Sequence, residues 1–515
     1  MDFESLSQGF TASALKRGEK EAVAFLRAGK LESRLSYREL DEDSNRVANI
    51  LRALGVEKGN RVILFLPKSL IFVIAYLAIH KIGAIAVPLD PGFKKPEMAY
   101  LLKDVAAKLV LAGPDQTIMI HEIDPNQKTL LINTEKTYQD LRFFRSASEA
   151  ATPVGIGPDD PGLIVYTSGT TGKPKGAVLT HKNLVHDAKN IIGIWEITSS
   201  DTLCHALPLS HVHGLCFALH TSLLAGARVL MLDQFSPKTV IGALSKKERN
   251  DACTLFMAVP AIYSRLMDYL GEKAPDFSHI RLWTSGSAPL LVKDFDRIRK
   301  LFGKDPLERE GMSETGMNFS NPLHGKRKPG SIGVPLPGLR VRIVEPETGL
   351  DVAPGQTGEI WLKGPGITPG YWRKPEETAK VFEEGWFRTG DLGKVDGEGY
   401  YFLTDRIKHL IISGGENISP KEVEAVINRL PDVLESSVVG IPDEKWGEKV
   451  VAAVVLKQGV VLKRGAVLRV KAIQNHCKEH LHDWKCPKEV IFLEELPKNT
   501  MGKVLKEEVK KIFTQ

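Results

Sequence analysis

Between Val62 and Leu89 apolar residues crowd together in three runs. Arg61-Val-Ile-Leu-Phe65 and Ala84-Ile-Ala-Val-Pro88 have the length and branching of buried strands, and Leu70 to Lys81 has the length of a helix. Pro67, Lys68 and Lys81 break the stretch. Its uncharged runs fall short of the roughly eighteen residues that a spanning helix takes, so the pattern reads as strand, helix, strand in a buried core. Upstream, Ser36-x-x-Glu39 carries a capping-box signature for a helix ending near Gly55. Downstream, Glu97 to Lys108 reads as helix and Leu109-Val-Leu111 as extended. Repeated βα units predict parallel sheets covered by helices, with chemistry at the strand ends.

Past Pro329 the texture changes to Gly/Pro turns between β-branched runs such as Val341-Arg-Ile-Val344 and Gly358-Glu-Ile-Trp-Leu362, which predicts a strand-rich subdomain. After Tyr400 a compact α+β pattern follows: Ser419-Pro-Lys-Glu422 caps a helix with proline in its first turn, and Ser437-Val-Val and Val450 to Leu456 read as strands. The fold class expected is therefore α/β. A large N-terminal domain, 1–404, would hold parallel βα sheets plus the strand-rich part, and a small, mobile α+β domain would span 405–515.

Composition narrows the partners. The net charge of +6 comes from 69 basic against 63 acidic residues mixed along the chain, which indicates neither a nucleic-acid nor a membrane footprint. Five scattered cysteines without a Cys-x-x-Cys fit reduced thiols. The first residues show neither an apolar signal region nor a basic transit pattern, so a cytoplasmic protein, monomeric or homodimeric, is expected.

The most informative stretch is Tyr166-Thr-Ser-Gly-Thr-Thr-Gly-Lys-Pro-Lys-Gly176, which follows a strand-like run. Gly169 and Gly172 let the backbone approach phosphate oxygens, Thr167, Ser168, Thr170 and Thr171 offer hydroxyl donors, and Lys173 and Lys175 offset charge. Pro174, directly after Lys173, departs from the Walker loop, where that lysine precedes Ser or Thr and opens a helix.

Together with Gly311-Met-Ser-Glu-Thr315, Trp386-Phe-Arg-Thr-Gly-Asp391, Asp405-Arg-Ile-Lys408 and Pro497-Lys-Asn-Thr-Met-Gly-Lys503, this loop resembles the signatures of the adenylate-forming acyl-CoA synthetases, in order and nearly end to end. The resemblance implies a two-step ligase: a carboxylic acid attacks ATP to give an acyl-adenylate, and CoA then displaces AMP. It implies that Glu314 with Thr167 holds Mg²⁺, that Asp391 accepts from the ribose hydroxyls with Arg406 nearby, and that Lys503 neutralises the anions meeting at the α-phosphate. Gly286, Ser287, Ala288, Gly311, Met312 and Ser313 fall on nucleotide-side loops, Lys408 on the hinge, and Ser413, Gly414 and Gly415 on the CoA path. Glu310 stands where the family places an aromatic ring on adenine.

His211 and His213 in Pro208-Leu-Ser-His-Val-His-Gly214, with Met257, match segments at the acyl pocket. Among subfamilies, Met257-Ala-Val-Pro-Ala-Ile-Tyr263, Gly311-Met-Ser-Glu-Thr-Gly-Met317 with Asn321-Pro322, and Leu496-Pro-Lys-Asn-Thr-Met-Gly-Lys503 look most like malonyl-CoA synthetases. Arg281, four residues before Ser285, is the guanidinium expected to meet a second carboxylate. Medium-chain, long-chain or aromatic acids are alternatives, and a catalytically weakened nucleotide-binding regulator is another. His476 and His480 could share one helical face as metal ligands, but no paired half-site accompanies them.

Overall fold

The computed structural model describes residues 3–141, 143–167, 173–248, 251–413, 416–444, 446–457, 466–499 and 502–514. By internal contacts it divides into two units, Met1–Arg340 with Leu362–Phe387, and Val341–Trp361 with Arg388–Gln515. The strand-rich segment expected to close the large domain thus groups in part with the C-terminal residues.

The first unit holds two sheets. In one, strands run in the order Gly370–Tyr371, Lys175–Thr180, Pro161–Thr167, Ile85–Pro88, Arg61–Phe65, Leu109–Ala112 and Thr129–Leu131. The strands from Arg61 onward are joined in parallel. Pro161–Thr167 and Lys175–Thr180 instead form an antiparallel hairpin that pairs Thr167 with Lys175. The helix Leu70–Lys81 lies where the apolar run placed it, with ten of its residues as far as Ile79 buried, and Ser69 caps it by accepting from Phe72 N–H. Tyr37–Ala53 starts on the capping box of Ser36 and Glu39.

The other sheet has nine strands, with Leu255–Ala258, Leu282–Ser285 and Leu307–Met312 side by side and parallel. At Leu307–Met312 the direction reverses, because Gly316, at φ 70°, turns the chain back as Gly316–Ser320. This reversal sets a tight hairpin at the C-terminal end of the parallel strands, where ligands collect in open α/β sheets.

In the second unit Asp391 and Arg406 sit directly opposite each other on the antiparallel strands Trp386–Val395 and Tyr401–Arg406. Further on, Val433–Asp443 and Gly447–Leu456 pair antiparallel and pack on the helices Pro420–Ile427 and Ala466–His480 around Val423, Val438, Val454 and Cys477. All five cysteines are free and buried. Among the described residues no helix is long and apolar enough to cross a membrane.

Candidate active site

In the first unit the strands on either side of the glycine-rich segment, Pro161–Thr167 and Lys175–Thr180, pair as one hairpin, unlike the strand-to-helix setting of a Walker loop. Ser168, Gly169, Thr170, Thr171 and Gly172 lie outside the described residues. At its ends, Thr167 donates to Lys175 C=O at 3.4 Å, and Lys173 stands 6.0 Å from the Tyr100 ring. Lys175 is buried, ion-paired with Glu377, and 5.3 Å from the Tyr371 ring. Glu377 is held at about 2 by its hydrogen bonds from Lys175 and Lys380.

Tyr371 links this loop to the hairpin at Gly316. Its hydroxyl donates to Glu314 Oε1 at 3.1 Å, and Thr368 N–H donates to the Glu314 carbonyl at 2.7 Å. Burial and the Glu314 carboxylate both push the Tyr371 phenol up, which keeps it a donor. Glu314 itself is buried, and its Oε2 has no protein partner among the described residues. A buried carboxylate with one oxygen uncommitted among the described residues suits a hard dication such as Mg²⁺. Behind the hairpin, Asp187 Oδ1 accepts from Met317 N–H at 2.8 Å, and a Cβ at Gly316 would come within 3.0 Å of that carboxylate. Burial lifts Asp187 to about 7. Sequence reasoning passed over Tyr371, Glu377 and Asp187, none of which carries a motif signal of its own.

The acyl-side residues converge differently from expectation. Arg281 forms a bidentate pair with Asp201, Nε to Oδ1 and Nη2 to Oδ2, each 2.7 Å, and donates to the carbonyls of Trp195 and Glu196. Its guanidinium thus ties the foot of a strand, and the expectation that it meets an acyl-group carboxylate is corrected. Arg309 carries a buried guanidinium with no hydrogen-bond partner among the described residues. It is 3% exposed, and its Nε, Nη1 and Nη2 make no hydrogen bond among the described residues.

Arg309 lies over the Phe217 ring at 5.0 Å. A Cβ at Gly286 would stand 2.6 Å from its Cζ, so only glycine there admits the guanidinium. Burial lowers it to about 10, although Glu310 and Asp187 favour its charge. His213 donates to or accepts from Ser287 Oγ at 3.1 Å, and its Nε2 is buried without a partner. Burial, then Arg309, push this imidazole well down, so it stays neutral. His211 is likewise lowered by burial. Met257 is buried in its strand, and Glu310 accepts from Asn318 Nδ2 at 3.0 Å. Met312 and Ser313 are half-buried at the hairpin, and Ala288 half-buried beside exposed Ser287. A Cβ at Gly311 would come 2.6 Å from Gly316 C=O.

In the second unit Arg406 Nε donates to Asp391 Oδ1 at 2.6 Å and Nη2 to Oδ2 at 3.3 Å. Asp391 is buried, and Thr389 Oγ1 receives its N–H at 3.0 Å. Lys503 sits on a tight turn: its N–H donates to Asn499 Oδ1, Asn499 N–H donates back to its carbonyl, each 2.9 Å, and Gly502 takes φ 73°. The Lys503 side chain reaches solvent from a crowded setting. Lost hydration, then Arg406, with Lys408 and Lys421 adding and Asp391 opposing, lowers its ammonium to about 8. Lys408 and Lys421 are lowered too, each first by burial. Burial and four cations, Lys506, Lys408, Arg406 and Lys503, hold His409 neutral at about 3. A focus of cations around one carboxylate is a receptor for an anion that also carries hydroxyls. Ser413 is buried on its strand, and Gly414 and Gly415 lie outside the described residues.

The AMP-binding enzyme family model matches residues 10–372, and that of the AMP-binding enzyme C-terminal domain matches residues 422–503. The chain belongs to the AMP-binding enzyme family. Within this family it is similar to the oxalate–CoA ligase of Arabidopsis thaliana, 34% identical over all of both chains. The mitochondrial malonate–CoA ligase ACSF3 of Mus musculus is 34% identical over 92% of this chain and 86% of its own length. The ATP-bound crystal structure of MatB from Rhodopseudomonas palustris matches with TM-score 0.91 at 36% identity, covering 99% of each chain. As an AMP-binding enzyme of the acyl-CoA synthetase type, the protein is an ATP-dependent, AMP-forming acid–CoA ligase.

Proposed function

We propose that this ligase activates a short dicarboxylic acid, malonate first among them. The observation that carries the reading is Arg309, a buried guanidinium whose three nitrogens lack acceptors among the described residues, beside neutral His213 and under Gly286. A second carboxylate entering an acyl pocket is costly unless a planar cation meets it in bidentate fashion, and a buried arginine without acceptors is costly unless an anion arrives. The relatives called malonate–CoA and oxalate–CoA ligases support the same class.

On this reading the distal carboxylate sits against Arg309 and the proximal one attacks the α-phosphorus of ATP. The bond to the β-phosphate oxygen breaks, and pyrophosphate departs. The CoA sulfur then attacks the acyl carbon, and AMP leaves with the mixed-anhydride oxygen. Thr167, Ser168, Thr170, Thr171, Lys173 and the backbone of the glycine-rich loop would grip the phosphates. Glu314 and Thr167 would hold Mg²⁺, which supplies positive charge to the phosphate oxygens when bound. Asp391, oriented by Arg406, would accept from the ribose hydroxyls, and Lys503 would offset charge at the α-phosphate.

The test is acid-dependent ATP–pyrophosphate exchange and CoA-dependent AMP release across malonate, methylmalonate, oxalate, octanoate, palmitate and benzoate. A kcat/KM at least a hundredfold higher for one of the dicarboxylates than for octanoate or benzoate is expected. The opposite order would overturn the reading in favour of a fatty or aromatic acid.

A further inference from the structure

The last turns of the helix Ala466–His480 bring His476, Glu479 and His480 to one side, where one ligand atom from each lies within 4.8 Å of the others. The spacing i, i+3, i+4 stacks the three side chains on one face. Two details set this cluster apart from surface polar residues. His480 Nδ1 stands 2.9 Å from the His476 carbonyl, and since a carbonyl only accepts, Nδ1 carries the proton and Nε2 keeps its lone pair for a ligand. His476 Nε2 is buried and has no hydrogen-bond partner among the described residues. The two rings lie 4.4 Å apart between centroids. A helix C-terminus also favours a cation through its exposed carbonyls.

The geometry points to a binding site for one borderline transition-metal dication of the Zn²⁺ class on this helix, held by His476, Glu479 and His480. Two imidazoles at i, i+4 with a carboxylate form an N₂O set, to which water adds the remaining ligands. Ligand atoms up to 4.8 Å apart can close to coordination distance by side-chain rotation, chiefly of exposed Glu479, while His480 keeps its Nδ1 bond to the His476 carbonyl. The bound ion would staple the final turn of the helix to the one before it. Mg²⁺ is a poor occupant, since it prefers oxygen donors and retains its waters.

The experiment uses full-length protein stripped with chelator, without ATP or Mg²⁺, and Zn²⁺ alone as probe. Titration against a chromophoric chelator should give one site per chain. H476Q and H480Q should each weaken it at least tenfold and E479Q less, while H324Q, at an exposed histidine elsewhere, leaves it unchanged. Circular dichroism melts check that each variant folds. Zn²⁺ should also protect His476 and His480 of the unsubstituted protein from diethyl pyrocarbonate, read by peptide mass mapping, which needs no substitution. Zinc binding that survives in H476Q and H480Q, or equal modification of both histidines with and without Zn²⁺, would overturn the proposal.

Discussion

Replacing Arg309 with methionine should make the protein more stable and the enzyme far worse with dicarboxylates. The side chain is 3% exposed and makes no hydrogen bond among the described residues, and burial pulls its pKa from the usual guanidinium range down to about 10. At 1.36 kcal/mol per unit, that drop is about 3 kcal/mol of strain in the unliganded fold. Methionine fills comparable volume without charge. Against the gain stands the lost contact with Phe217, worth about 1–2 kcal/mol, while the attraction to Glu310 and Asp187 is already contained in the lowered pKa. The net expectation is a gain of about 1–2 kcal/mol, read as a melting temperature higher by a few degrees in calorimetry.

Malonate loses its buried counter-charge in the same variant. Truncating one partner of a buried charge pair costs about 2–5 kcal/mol, or roughly thirtyfold to several thousandfold in kcat/KM for malonate. Butyrate, which matches the chain without the second charge, should be used as well as before or better. ATP–pyrophosphate exchange with the two acids, beside the melt, reads both sides. A lower melting temperature together with equal losses for malonate and butyrate would mean that Arg309 is a structural cation, and the substrate assignment would fail.

Lys503→Ala should cut exchange by about 2–4 kcal/mol, some thirtyfold to a thousandfold, by analogy with a lost oxyanion donor, while CoA transfer from preformed acyl-adenylate suffers less. The charged ammonium is the active form and its pKa is lowered to about 8, so exchange in the wild type should be full below that value and decline as pH rises through it. A rate that is flat from pH 7 to 9.5 would refute the role. Acid should destabilise the fold, because buried His181, His205 and His220 are lowered by burial to about 4, 3 and 3. Between pH 6.5 and those values the unfolded chain binds protons that the folded one does not, so stability is intact above 6.5 and lost as pH falls, by up to about 3 kcal/mol for His181 alone. Urea midpoints unchanged from pH 7 to 5 would contradict this. Glu310→Tyr should lower the KM for ATP by supplying a ring for adenine, base stacking being worth about 1–3 kcal/mol; an unchanged or raised KM would count against that placement.

Much of the scaffold was readable from local signals. The capping box at Ser36 and Glu39, the apolar helix Leu70–Lys81 and the proline-started helix after Ser419 form where short-range patterns put them, because caps, turn residues and apolar period act within a few positions of the chain. The motif order alone pointed to the family. Hidden were the residues that act through distant partners: Tyr371, which holds Glu314 across 57 positions, and Asp187, which braces the same hairpin across 130.

The two arginines mark the boundary most clearly. In sequence, Arg281 precedes a strand that leads toward the site, whereas Leu307-Glu-Arg-Glu310 reads as a charged run, which is usually solvated. In three dimensions Asp201, 80 residues earlier, takes up the guanidinium of Arg281, while sheet packing buries Glu308 and Arg309 and leaves Arg309 without an acceptor among the described residues. The chain itself carried the chemistry of adenylation in its ordered motifs. Which cation stays uncommitted depends on neighbours brought together from far apart in the sequence, and only the packed fold decides that.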